Sequence, residues 1–227
     1  MKPSYTYLIL DIFSILFTFL LSFDKKVAFY KSWRYLFPSI LITGLFFIIW
    51  DVIFTERGVW SFNPNYISGF YILNLPIEEV LFFFCVPYSC VFIYAVLCSY
   101  IKYDIIKHPQ LVSGILAVFT FALSVCFYDK LYTLVNAGIC CILIIITAYI
   151  YKFTHLGKFY LAYLVSLIPF LICNGILTSL PIVIYNNNEN MSFRIFTIPF
   201  EDLFYCLSLL LSNVVFMEHF KKAKSKH

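Results

Sequence analysis

Apolar residues in this chain do not alternate with polar ones; they run together in long blocks separated by short polar stretches. A block can cross the hydrocarbon layer of a bilayer as a helix when it holds about 20 mostly apolar residues. Seven blocks fit, predicting helices over 5–23, 36–55, 76–100, 111–128, 132–151, 159–184 and 199–218. Strands of a membrane barrel are excluded, because they need lipid-facing and lumen-facing residues in alternation. The first block looks at first like a secretory leader. It is long, contains Asp11, and is followed by Asp24, Lys25 and Lys26 rather than a small-residue cleavage site, so it reads as a retained helix.

Composition sharpens this picture. Hydrophobic residues make up 62% of the chain and charged ones 12%, whereas soluble domains run to about half apolar and roughly a quarter charged. Lipid must therefore be the outer solvent. The net charge of +4 is spread through short loops, which is a topology signal and not a nucleic-acid surface. Lys25, Lys26, Lys31, Arg34, Lys102, Lys107, Lys152, Lys158, Lys221, Lys222, Lys224 and Lys226 fall on one side, and Lys2, Arg57, Lys130 and Arg194 on the other. Twelve against four predicts a multi-pass protein of the cell membrane with its N-terminus outside and its C-terminus cytoplasmic. An even number of crossings would scramble that split. The eight cysteines all lie in apolar blocks without metal-ligand spacing, so they read as packing residues; no metal site and no disulfide framework is expected.

The chain also repeats itself. PIEEVLF begins at Pro76 and PFEDLFY at Pro199, 123 residues later. The same offset carries Asp51 onto Asn174, Ile53 onto Ile176, Thr55 onto Thr178, Asn63 onto Asn186, Phe70 onto Phe193, Ile72 onto Ile195 and Ser89 onto Ser212, with no gap. The predicted fold is thus an all-α integral membrane protein of seven transmembrane helices. Residues 1–101 form a first three-helix unit, 102–129 a linking helix, and 130–227 a second unit with a basic tail. Three crossings reverse the chain's side, and the linking helix restores it. The two units are therefore parallel, and binding sites of such repeats tend to form at their interface.

Carboxylates inside a membrane cost about 2.5–3.5 kcal/mol each on insertion scales and are candidates for function. This chain has Asp11, Asp51, the pair Glu78 and Glu79, and the pair Glu201 and Asp202, all predicted near the outer ends of their helices. Pro76 and Pro199 suit the first helical turn, where a missing N–H costs nothing. Acids at helix starts also complement the helix dipole, which accounts for one acid per helix but not for two adjacent ones repeated at a fixed offset beside Asp51. Burial favours the protonated form of a carboxyl, and a neighbouring carboxylate favours it further, so such a pair can hold an acid beside a base. Aromatics form 21% of the chain and flank this layer, among them Trp50, Trp60, Phe82, Phe83 and Tyr205. Their π faces can stabilise a cation in a dry pocket.

LPIEEVLFFF at 75–84, WDVIF at 50–54 with VWSFN at 59–63, and the second copy NGILT at 174–178 with RIFTIPFEDLFY at 194–205 resemble the lycopene cyclase domain family. This is the membrane-embedded type whose two homologous halves occur as subunits or fused. The resemblance implies that linear ends of lycopene are closed to β-rings, giving γ-carotene and then β-carotene, in a redox-neutral reaction through a carbocation. It implies Glu78, Glu79, Glu201, Asp202 and Asp51 as the acid and base groups, with the proton donor at Glu78 or Glu201. Trp50, Trp60, Phe82, Phe83, Asn174 and Tyr205 are expected to bind the substrate. The expected partners are the lipid bilayer and these hydrophobic substrates, with no nucleic acid; a homo-oligomer is left open. No GxGxxG fingerprint is present, and no cofactor is expected. Asn174 opposite Asp51 and Asp202 opposite Glu79 make the halves unequal. The alternatives are another membrane terpenoid cyclase, which shares the acids, and a small proton-coupled carrier, for which the Gly-rich broken helices are lacking.

Overall fold

A computed structural model describes residues 5–224. Lys2 and Lys226 of the charge count lie outside them. Seven α-helices dominate: α1 (Thr6–Leu21), α2 (Trp33–Glu56), α3 (Ile77–Tyr100), α4 (Pro109–Cys126), α5 (Leu131–Ile145, continued by a π turn Ile146–Ile150), α6 (Leu156–Ser179) and α7 (Glu201–Lys224). Six of these are long and apolar enough to cross a membrane, while α1 is an apolar helix of 16 residues. Phe17, Leu45 and Val118 stand 66%, 62% and 71% exposed. An exterior of this kind is stable in lipid and not in water, and the chain is a multi-pass membrane protein.

Several predicted boundaries move. The block 159–184 ends as a helix at Ser179, because Pro181 cannot continue it. The remainder becomes strand β4 (Val183–Tyr185), which pairs antiparallel with β1 (Trp60–Phe62). Hydropathy cannot tell a short buried strand from a helix end. Pro76 and Pro199 are not in the first helical turn. They close the strands β3 (Leu75–Pro76) and β6 (Ile198–Pro199), which form tight hairpins with β2 (Tyr71–Ile72) and β5 (Arg194–Ile195). Pro76 is extended at ψ 148, and its helix begins at the next residue.

The repeat is visible in the backbone. Trp60 pairs with Tyr185, Ser61 with Ile184 and Phe62 with Val183. Ser61 and Ile184 are themselves 123 residues apart, so a pseudo-two-fold axis passes through that pair. The bond Asn63 N to Ile182 O (2.9 Å) is mirrored by Asn186 N to Val59 O (2.9 Å). Even the hairpin tips agree: Leu73 and Phe196, again repeat-mates, hold the left-handed φ values of 58° and 56°.

Around this axis each helix that carries an acid pair is shared. α3 packs on α1 and on α6, and α7 packs on α5 and on α2, while α4 lies against α5. Lipid tails are as apolar as the core, so packing and interhelical hydrogen bonds hold such a bundle, at roughly 0.6 kcal/mol per bond. Thr18 with Ser89 (2.8 Å), Ser22 with Tyr88 (2.6 Å), Ser113 with Tyr160 (2.6 Å), and Ser39 Oγ donating to Asn213 O (2.6 Å) are of this kind. The result positions the N-terminal ends of α1, α3, α5 and α7 and the C-terminal ends of α2 and α6 at one end of the bundle.

Candidate active site

The two acids of each pair turn in different directions. Neighbours on a helix are about 100° apart, so one can face the loop while the next faces the bundle. Glu78 Oε1 accepts the Ser68 amide at 2.7 Å, and its repeat-mate Glu201 Oε1 accepts the Met191 amide at 2.8 Å and the Thr133 hydroxyl at 2.6 Å. Both are buried. These first members, among which the proton donor was expected, tie the preceding loops to the starts of α3 and α7 and do not line the cavity described next. Glu78→Gln keeps an oxygen for the Ser68 amide, so it is expected to cost about 1 kcal/mol of stability and to leave carotenoid conversion within roughly tenfold of the parent, measured by pigment analysis of membranes.

The second members face a small cavity of about 50 Å³ at the axis, lined by residues of both halves. Tyr7 Oη donates to Glu79 Oε2 at 2.6 Å, and Tyr132 Oη donates to Asp202 Oδ1 at 2.6 Å. There the symmetry stops. Asp202 Oδ2 also accepts Asn174 Nδ2 at 2.7 Å and Tyr185 Oη at 3.0 Å. In the first half Asp51 stands where Asn174 stands in the second, and Phe62 where Tyr185 does. Glu79 therefore has one phenol donor, and Asp51 Oδ2 is buried with no hydrogen-bond partner among the described residues. Burial, and after it the adjacent Asp202 carboxylate, hold the Tyr185 hydroxyl well above its ordinary range, so it remains a neutral donor. Asp11 is buried on α1, and its repeat-mate Asn136 donates from Nδ2 to Glu201 O at 2.6 Å.

Of the residues expected from the sequence, Asp51, Glu79, Asp202, Trp60, Phe82, Asn174 and Tyr205 line this cavity. Trp50 sits behind the wall, its ring 5.0 Å from that of Tyr205. Phe83 packs against Phe47 and Phe82 and does not reach the cavity. Phe62, Leu177 and Val183 add apolar surface, and Tyr7, Tyr132, Tyr185 and Phe170, which were not foreseen, complete the wall. A signal existed for two of them: the first helices of the repeats match at an offset of 125 residues, which aligns Tyr7 with Tyr132 and Asp11 with Asn136. The uniform offset of 123 hides it. Among the described residues no three acids, cysteines or histidines are grouped to hold a metal ion.

Carboxyls in two different settings, phenol donors and aromatic faces around a pocket inside an apolar bundle are the parts that acid/base chemistry on a hydrophobic substrate needs. Such a cavity inside an apolar bundle is the candidate active site of a membrane enzyme. The family model described as lycopene cyclase matches residues 4–97 and again residues 129–220, and the chain belongs to the lycopene cyclase family. It is accordingly an enzyme of carotenoid cyclisation, working on hydrophobic substrates in lipid. No curated protein and no solved structure matches it.

Proposed function

We propose that this chain is a lycopene β-cyclase that closes linear ends of lycopene by proton transfer alone. A carboxyl proton adds to the terminal double bond, the neighbouring double bond closes the ring onto the resulting cation, and a base removes a ring proton. One proton enters and one leaves, so the product is an isomer and no redox cofactor takes part. The assignment of roles rests on one contrast. Asp202 accepts three hydrogen bonds, the environment of an ionised carboxylate, and acts as the base. Glu79 and Asp51 share a buried wall with a single phenol donor, Tyr7, and the Trp60 indole beside Asp51. Two bare carboxylates so placed would be costly, so the pair carries a proton, and Glu79 delivers it while Asp51 replenishes it. Both acids line one cavity, which lets the proton taken by Asp202 return. Trp60, Phe82 and Tyr205 face the cation.

In this reading the chain crosses the membrane seven times as two parallel repeats and a linking helix, with the N-terminus outside. α1, about 24 Å long, crosses because its repeat-mate α5 does. Expression in lycopene-accumulating bacteria tests the function, with β-carotene or γ-carotene as the expected product; unchanged lycopene beside inserted protein rejects it. Membranes from those cells, given preformed unlabelled lycopene in deuterated water, are expected to place about one deuterium in each ring, since the proton comes from an exchangeable carboxyl.

A further inference from the structure

Phe170 on α6 lines the acid cavity and also a larger groove, of about 550 Å³, between α1, α3 and α6. The two voids are stacked along the same helix faces. On α3, Glu79 and Phe82 of the cavity are followed by Val86, Cys90 and Ile93 of the groove, at steps of three or four residues that keep one face turned one way. On α1, Tyr7 of the cavity is followed in the same manner by Leu10, Ser14 and Phe17. From Glu79 to Ile93 the path is about 21 Å long at the helical rise.

No charged side chain lines the groove. Its hydroxyls are already engaged: Ser14 donates to Asp11 O, Thr18 to Ile15 O, and Ser89 to Ser14 O. α1 and α6 both pack on α3 but touch each other only weakly. The groove therefore opens sideways, past the exposed Phe13, Phe17 and Ile172, toward lipid.

The second half is filled where the first is open. The repeat-mates of Phe170 and Cys173 are Phe47 and Trp50, and that of Ile93 is Phe216. Phe47 and Trp50 stand on Tyr205 at ring distances of 5.1 and 5.0 Å, and Ser39 clamps α2 to α7 at Asn213. The repeat-mate of Ser39 on α6 is Ala162, which has no hydroxyl to make this bond.

We propose that the groove between α1, α3 and α6 holds the polyene body of the carotenoid, entered from the bilayer, with Phe170 at the passage to the acids. An extended conjugated chain is stiff and wholly apolar, as this path requires. This rests on the cyclase reading and deepens it. Since the second half offers no matching groove, one end is cyclised per binding event, and the molecule must leave and return reversed for a second ring.

Ile93→Phe and Ile172→Trp narrow the groove away from the acids, at half-buried and exposed positions where the fold tolerates bulk. Each variant, at parental abundance in membranes, is given lycopene and, separately, a shorter acyclic polyene with the same end group. The ratio of ring formation on lycopene to that on the short substrate is expected to fall roughly tenfold or more. An unchanged ratio in the inserted variants overturns the proposal, whatever the lipid occupancy of the groove. A parent protein that cyclises neither substrate overturns the cyclase reading itself. With lycopene in excess, a one-ring carotenoid is expected to accumulate first; two-ring product appearing without that lag overturns the one-end step.

Discussion

Replacing Glu79 with glutamine is expected to lower carotenoid ring formation by about 10²–10⁴, the usual contribution of a positioned general acid, while the protein still inserts and folds. The substitution keeps the shape of the side chain and an oxygen for the Tyr7 hydroxyl at 2.6 Å, so folding is spared. What it removes is the exchangeable proton. The block falls before the ring closes, and lycopene should be recovered intact and free of deuterium after incubation in deuterated water. A Glu79→Gln protein that still cyclises at the parental rate would place the donor elsewhere. The contrast with Glu78→Gln carries the argument, because the two glutamates are adjacent and only one of them lines the cavity.

Asp202→Asn should act later and fail differently. Three donors converge on this carboxylate: the hydroxyls of Tyr132 and Tyr185 and the side-chain amide of Asn174. An asparagine retains one acceptor oxygen and turns an N–H₂ toward at least one of those donors. Leaving a buried donor unpaired costs about 1–3 kcal/mol, so a lower melting temperature in detergent is expected. The chemical effect is larger. In the proposed mechanism protonation and ring closure remain open to Glu79, but the base that selects which ring proton leaves has gone. Turnover is expected to drop by about 10²–10⁴, with the residual product containing other double-bond isomers of the ring. Residual product that is purely the parental isomer, formed at the parental rate, would remove Asp202 from the role of base.

Much of the architecture is legible in the chain because a membrane reduces the choices. Backbone groups in lipid must be paired within their own segment, so long apolar blocks become helices, and the block lengths place them to within a few residues. The exceptions have local causes. Pro181 ends α6 early, and Val183 to Tyr185, though apolar, pairs with Trp60 to Phe62 across the axis. Strand pairing of this kind joins residues more than a hundred positions apart, and hydropathy within a window carries no trace of it.

What the sequence by itself determined is the family, the membrane setting, the repeat and the existence of a carboxylate layer, since each is written in residue type and spacing alone. The long apolar blocks carry the membrane setting, and PIEEVLF, PFEDLFY and NGILT carry the rest. Tertiary structure alone decided which acid of each adjacent pair meets the cavity, because two neighbouring helix positions are chemically alike until packing rotates one toward the bundle and the other toward the loop. It also decided that Asp202 gathers three donors where Glu79 has one. That difference depends on Asn174 and Tyr185, from α6 and from β4 after it, meeting Asp202 on α7 and Tyr132 on α5. The open groove beside Phe170 arose in the same way, as a gap between helices whose side chains only three-dimensional packing could bring together.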